Sequence, residues 1–160
     1  HSEENRKILD RTIPIGKYKV ELAILNSKTI SKRVVGARLK IRNDKVTHYE
    51  QTQNISSSFN GFGVDAGLAS FCDASVAEEY TKFWYDWIKN NPNKNHYNNY
   101  FSKFFQRKQF IHWELPGTNH KIAMFETGFG DGYYMSLYGF NEKDEVCELV
   151  IPFINPELVD

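Results

Sequence analysis

Three aspartates in glycine-rich surroundings have the types and spacing best suited to chemistry. Asp65 and Asp73 lie in the stretch GFGVDAGLASFCD (residues 61–73), and Asp131 lies in a companion stretch, GFGDGYY (residues 128–134). Carboxylates that converge can bind a hard cation such as calcium, or they can share acid–base work. The glycines permit positive φ and close backbone approach. We therefore predict that Asp65 and Asp131 lie at the same end or face of one sheet.

The same aspartates also have structural explanations. An aspartate beside glycine commonly accepts backbone N–H bonds in a turn, and Asp73 stands where it can cap a helix. Both interpretations stay open, and Asp65 and Asp131 are candidates for catalysis without an assignment. The residues predicted to form a binding site at the two stretches are Asp65, Gly67, Asp73, Gly130, Asp131, Gly132 and Tyr133.

The sharper catalytic motifs are absent from the sequence. It has no GxSxG, no GxxxxGK, no HExxH and no CxxC. No two of the five histidines are two or four residues apart, so neither a metal nor a cofactor is predicted. Cys72 and Cys147 are the only cysteines, and we expect a reduced pair rather than a bridge.

Charge is balanced overall but unevenly distributed. Residues 1–60 carry 12 Lys and Arg against 6 Asp and Glu, whereas residues 61–160 carry 8 against 14. A basic face is predicted on the first hairpin, and its candidate binding residues are Arg38, Lys40 and Arg42. The sequence pI of about 7.1 argues against general nucleic-acid affinity, so an acidic protein partner fits this face better.

Alternating and helical patterns indicate the elements that position these residues. The strands are predicted near residues 18–25, 35–41, 45–52, 110–115, 121–127, 133–140 and 146–153. Asn43-Asp44 is a turn signal, so the strand at 45–52 is expected to form a hairpin with the strand before it. The chain is predicted to be one domain over 1–160, with an ordered core at about 13–154 and no membrane span.

A helix is predicted over residues 75–89, with either Asp73 or Ser75 as its cap and Ser75-x-x-Glu78 as a capping box. A second helix is predicted over residues 94–106. The aromatic stripes of both helices are interpreted as core. The fold class that follows is α+β, mainly β: an antiparallel sandwich or strongly curved sheet with a two-helix insertion packed on one side.

Four runs, PIGKYKVELAI, RVVGARLKIRNDKVTHYE, GFGVDAGLASFCDA and ETGFGDGYYMSLYGFNEKDEVCELVIPF, resemble the bacterial domain of unknown function 4241 family. The likeness spans roughly residues 13–154, and its specific motifs run from Val64 to Asp73 and from Gly130 to Tyr134. The ending at Ile151-Pro152-Phe153 departs from an acid-containing ending of the family. The resemblance implies a bacterial, cytoplasmic protein and brings no established activity.

The leading functional hypothesis is a non-enzymatic module that binds a protein, as an immunity-type or other inhibitory partner of an acidic effector. It rests on the missing nucleophile–base pair and on the polarised charge. The alternatives are a small-molecule hydrolase or lyase that uses Asp65 and Asp131, and a sandwich that binds a small ligand or glycan. Nucleic acid and membrane are not expected as partners.

Overall fold

The computed structural model describes residues 8–55 and 60–159. Its strands are β1 (Lys19–Leu25), β2 (Arg33–Lys40), β3 (His48–Gln51), β4 (Phe62–Val64), β5 (Leu68–Phe71), β6 (Phe110–Glu114), β7 (Lys121–Glu126), β8 (Gly132–Tyr134), β9 (Leu137–Phe140) and β10 (Val146–Pro152). Its helices are α1 (Ala77–Asn90), entered through a 3-10 turn at Ala74–Val76, and α2 (Ser102–Phe105), entered through a π-helical turn at Tyr97–Phe101. A final 3-10 turn covers Pro156–Leu158. The predicted class, α+β and mainly β, is confirmed.

The described strands form three antiparallel sheets within two compact units of the chain. The first unit joins the segment before Leu68 to the segment after Glu126, and the second unit is Leu68–Glu126. The first contains a five-stranded sheet, in the order β1-β2-β10-β9-β3, and the two-stranded ladder β4-β8. The second contains the sheet β5-β7-β6. No helix in the described part of the chain is long and apolar enough to cross a membrane.

The predicted hairpin between the strand at 45–52 and its predecessor is wrong. β2 pairs with β1 on one side and with β10 on the other, so neither of its edges is left for β3. After β2 the chain stays beside β10, because the N–H groups of Ile41 and Arg42 both donate to the carbonyl of Cys147. β3 then pairs with β9 at the far edge, with His48 opposite Phe140.

The strand predicted over residues 133–140 is interrupted, because its two halves belong to different sheets. β8 pairs with β4, and β9 pairs with β10 and β3. Ser136 lies in the gap and is buried, with its hydroxyl 2.5 Å from that of Thr52 and its carbonyl bound by the Thr52 N–H at 3.0 Å. The buried hydroxyl and carbonyl of Ser136 are therefore both hydrogen-bonded where the strand breaks.

The two-helix insertion is confirmed, since α1 and α2 lie between β5 and β6 in the chain and pack on the sheet of the second unit. Their aromatic stripes pack into its core, as predicted, with the exception of Phe104. The buried members of this cluster are Val76, Trp84, Phe101, Phe105, Ile111, Trp113, Leu115, Ile122 and Met124. Ile88, at the far end of the stripe on α1, is exposed.

Both cysteines are free, as predicted. Cys147 is buried on β10 of the first unit, and Cys72 is exposed just after β5 of the second unit.

Candidate functional site

The two glycine-rich stretches meet, as the sequence predicted. β4 and β8 form an antiparallel ladder in which Val64 lies opposite Gly132. Asp65 directly follows this pair on one strand, and Asp131 directly precedes it on the other. The two aspartates thus share one end of the ladder, and both are exposed.

Asp131 is bound to the neighbouring stretch through Gly67. The Gly67 N–H donates to Asp131 Oδ1 at 2.8 Å, and the Gly67 carbonyl accepts the Thr127 N–H at 3.0 Å. Gly67 has a φ of +63°, a conformation that glycine adopts at little cost. The carboxylate of Asp131 therefore accepts from a backbone amide and joins the two loops.

Further hydrogen bonds fix the turn that carries Asp131. The Gly130 N–H donates to the Thr127 carbonyl at 2.6 Å, and Thr127 Oγ1 donates to the Gly130 carbonyl at 2.8 Å. Tyr134 also donates to the Gly130 carbonyl at 2.8 Å. Tyr133 keeps 59% of its surface exposed, and its hydroxyl donates to the Asn60 carbonyl. The turn that carries Asp131 is therefore polar, and hydrogen bonds within the chain fix its conformation.

The third predicted aspartate, Asp73, lies in the second unit and caps the first helical turn. Asp73 Oδ1 accepts the Ser75 N–H at 2.9 Å and the Ser75 hydroxyl at 2.6 Å. These hydrogen bonds lower the pKa of Asp73. The predicted capping box at Ser75 is not formed, because the residue before α1 is Val76, which makes no side-chain cap. Asp73, not Ser75, is the cap.

No metal site accompanies these carboxylates in the part of the chain that is described. Over residues 8–55 and 60–159, no three His, Cys, Asp or Glu side chains are grouped so that they can hold an ion. Asp65 forms no hydrogen bond with any residue in these ranges. Its oxygens, with one remaining oxygen of Asp131, make a weak set for calcium, which takes six to eight oxygen ligands.

The basic face predicted on the first hairpin is balanced by carboxylates. Arg38 binds Glu21 through Nε at 3.1 Å and Glu148 through Nη1 at 3.2 Å. Arg42 pairs with Glu145 at 3.0 Å. Lys40 lies opposite Lys19 on β1 and Glu148 on β10. Carboxylates therefore neutralise Arg38 and Arg42, whereas Lys40 forms no ion pair with the described residues.

Glu148, which the sequence analysis did not single out, is the centre of this polar network. It is 5% exposed, and the Tyr49 hydroxyl donates to its Oε1 at 2.6 Å. That hydrogen bond raises the pKa of Tyr49 to about 12. Gly139 makes the arrangement possible, since a Cβ there would lie 2.8 Å from Glu148 and 3.1 Å from Tyr49. A lone glutamate in the apolar run VCELVIP is the signal that could have revealed it.

The second unit has an open groove of about 450 Å³ where α2 faces β6. It is lined by Phe104, Lys108, Phe110, Ile111 and His112. Phe104 is 39% exposed, although the stripe that contains it was interpreted wholly as core. β6 is an edge strand among the described residues, where β7 is its only neighbour in the sheet. An apolar groove thus lies beside a free strand edge.

Three cations belong to the segment that forms the α2 side of this groove. Lys108 lines the groove, Lys103 Nζ lies 4.9 Å from the ring centre of Phe104, and Arg107 precedes Lys108 in the turn after α2. All three are exposed, and none pairs with a carboxylate of the described residues. Gln106 and Arg107 have φ of 36° and 72°. This left-handed backbone costs about 1 kcal/mol or more per residue and turns the chain sharply after α2.

A model of the family described as "Protein of unknown function (DUF4241)" matches residues 2–151, nearly the whole chain. None of the curated proteins and none of the solved structures searched matches the sequence.

Proposed function

This chain belongs to the DUF4241 family, whose description states no activity, and we propose from its geometry that it is a non-enzymatic module that binds another protein. The observation that carries the proposal is the groove between α2 and β6, where exposed apolar surface lies beside an edge strand and unpaired cations. Protein-binding surfaces commonly combine an aromatic anchor with a charged rim. Phe104 and Phe110 are the anchors here, and Lys103, Arg107 and Lys108 are the rim.

An enzyme built on Asp65 and Asp131 has less support. Asp131 already accepts a backbone amide from Gly67, which is a sufficient structural reason for its carboxylate. Glycan binding also has less support, because Trp84 and Trp113 are buried in the core of the second unit instead of lining a concave face.

The finer parts of the proposal concern the partner and the location. We place the role of the chain as inhibitory or immunity-type, in the bacterial cytoplasm. Such a role needs no catalytic residues, since inhibition requires only tight and specific association. The partner is then an effector whose activity falls when this chain binds it.

The test is the isolation and reconstitution of a partner. Tagged chain is used to capture proteins from native cells at low salt, and the recovered protein is then purified and titrated by calorimetry. We expect a defined stoichiometry and a loss of the partner's activity. Phe104→Ala should weaken binding, whereas Tyr85→Ala, which removes a still more exposed aromatic on α1, should not.

Two results would contradict the proposal. One is that no captured protein binds the purified chain. The other is that Phe104→Ala and Tyr85→Ala bind the partner equally, which would remove the groove from the interface.

A further inference from the structure

We propose that β6 receives an extended acidic segment of a partner protein as a fourth strand of the sheet β5-β7-β6. The inference rests on the proposed function and specifies its partner. Addition of a strand to an exposed sheet edge derives affinity from main-chain hydrogen bonds and specificity from pockets for alternate side chains. Each requirement can be checked on residues of the second unit.

The first requirement is a free backbone edge. The Leu115 N–H donates to the His120 carbonyl at 2.9 Å, and the Glu126 N–H donates to the Gln109 carbonyl at 3.1 Å. These two bonds set the phase of the ladder, so the odd-numbered residues of β6 direct their backbone N–H and C=O groups toward β7. In an antiparallel ladder the alternate residues then point their backbone groups away. Those residues are Phe110, His112 and Glu114. Within the described residues no hydrogen bond occupies their outward N–H groups.

The second requirement is a pocket for alternate side chains. The groove covers the first half of β6, from Phe110 to His112, and Phe104 of α2 stands on its other side. Side chains of an added strand project to alternate faces, so every second one can enter this groove. Phe110 and Phe104 provide the apolar contact.

The third requirement is selectivity, which the charges provide. Lys103, Arg107 and Lys108 lie within one six-residue segment, which includes Phe104 and Lys108 of the groove. Their charges are not neutralised by carboxylates of the described residues, in contrast to the paired Arg38 and Arg42 of the first unit. A strand with Glu or Asp beside the groove, at the Phe110 end of β6 and away from the carboxylate of Glu114, offers the complementary charge, whereas Lys or Arg there would be repelled.

Edge strands are usually protected against such pairing, and the first unit shows how. β1, an edge of the five-stranded sheet, carries Lys19 and is irregular between Ala23 and Ile24. β6 pairs with β7 in continuous register from Phe110 to Glu114, without a bulge and without proline. Its regular edge suits an added strand.

The test uses isotope-labelled full-length chain and short synthetic peptides followed by NMR. A capped peptide of alternating Glu and Val should shift the amide signals of Phe110, His112 and Glu114 and slow their hydrogen exchange. Two control peptides should fail: alternating Lys and Val, which has the wrong charge, and a Glu–Val peptide with proline at its central valines, which lacks the donors.

Two variants of the chain make the test specific. Replacing Lys103, Arg107 and Lys108 together by Gln should raise the Kd of the Glu–Val peptide by about tenfold. The matched control replaces two exposed lysines of α1, Lys82→Gln and Lys89→Gln, and should leave this Kd unchanged. His112→Pro removes an outward donor without removing a β6–β7 hydrogen bond, so it should fold and lose the peptide. If it does not fold, the charge variants decide.

Three results would overturn the inference. The Lys–Val peptide could bind as tightly as the Glu–Val peptide, or the signal shifts could be confined to other strands. A single-stranded oligonucleotide could also shift the β6 amide signals and bind more tightly than the acidic peptide. A dimer that protects these amides without peptide would assign the edge to a second copy. A natural partner that binds the triple Gln variant unchanged would end the strand proposal and leave the proposed function standing. The absence of any partner would end the proposed function itself.

Discussion

At the scale of single residues, the two aspartates at the end of the β4-β8 ladder differ in what they contact. Asp131 accepts the Gly67 N–H, whereas Asp65 is exposed and forms no hydrogen bond with the described residues. We expect Asp131→Ala to lower the free energy of unfolding by about 1 kcal/mol, the usual net value of one hydrogen bond. Asp131→Asn should lose less, because its amide oxygen still accepts. Denaturant titration measures both.

Asp65→Ala is the matched control for this prediction, and it should change stability by less than about 0.5 kcal/mol. Equal losses for Asp65→Ala and Asp131→Ala would contradict the structural assignment. A stable Asp131→Ala chain that fails to bind its partner would place Asp131 in the interface.

Asp73 gives a pH-dependent prediction. Its pKa is lowered in the folded chain by the Ser75 hydroxyl and N–H, so its contribution is present above the unfolded pKa and is lost as pH falls through the folded pKa. Asp73→Ala should cost about 1 kcal/mol at pH 7, as for other helix caps. The difference in free energy of unfolding between the unmodified chain and Asp73→Ala should shrink progressively in acid.

Chemical denaturation of both chains over a series of acidic pH values checks this. A difference that stays constant down to the lowest pH would show that the Asp73 charge is not responsible.

At the scale of elements, the aromatic face of α1 yields the sharpest contrast. Trp84 is 7% exposed, with its ring 4.9 Å from Phe83 and 5.9 Å from Trp113, whereas its neighbour Tyr85 is 70% exposed. Trp84→Ala should therefore cost about 3–5 kcal/mol. Tyr85→Ala should cost less than about 0.5 kcal/mol. Thermal and denaturant unfolding measure both losses, and similar values would mean that α1 presents a different face to its sheet.

The sequence was a good guide to elements because their periodicity is local. The stripe on α1 and the strand at β1 were predictable from local patterns, and the meeting of the two glycine stretches from their shared composition. The pairing of β3 was not, since the turn at Asn43-Asp44 looks the same whether the next strand returns to β2 or crosses to β9. The break between β8 and β9 at Ser136 was not predictable either, because it depends on which strands each half pairs with.

The candidate site was harder to predict than the elements. Arg38 and Arg42 looked free because Glu21, Glu145 and Glu148 reach them only in the folded chain. Phe104 looked like core because it shares the aromatic pattern of its neighbours. Its exposure depends on the short length of α2 and the left-handed turn after it, neither of which the pattern contains.

At the scale of the whole molecule, the first unit is assembled from two distant parts of the chain. β9 and β10, from the last part, lie between β2 and β3 and complete the five-stranded sheet. The second unit is contributed by the residues in between. Contacts of this kind are remote in sequence, so the sheet cannot form until its last strands are available.

We therefore expect a chain truncated after Glu126 to leave the first unit unfolded. It keeps β1 and β2, but a two-stranded hairpin without further strands is at best marginally stable in water. The amides of β1 and β2 should then exchange rapidly and lose their dispersed NMR signals. A chain ending at Asn155 is the control, since it lacks only residues 156–160 and keeps the ten described strands, and it should retain slow exchange. Slow exchange at β1 and β2 in the shorter chain would show that the hairpin needs neither β10 nor β9, and would contradict the assembly inferred from the sheet order.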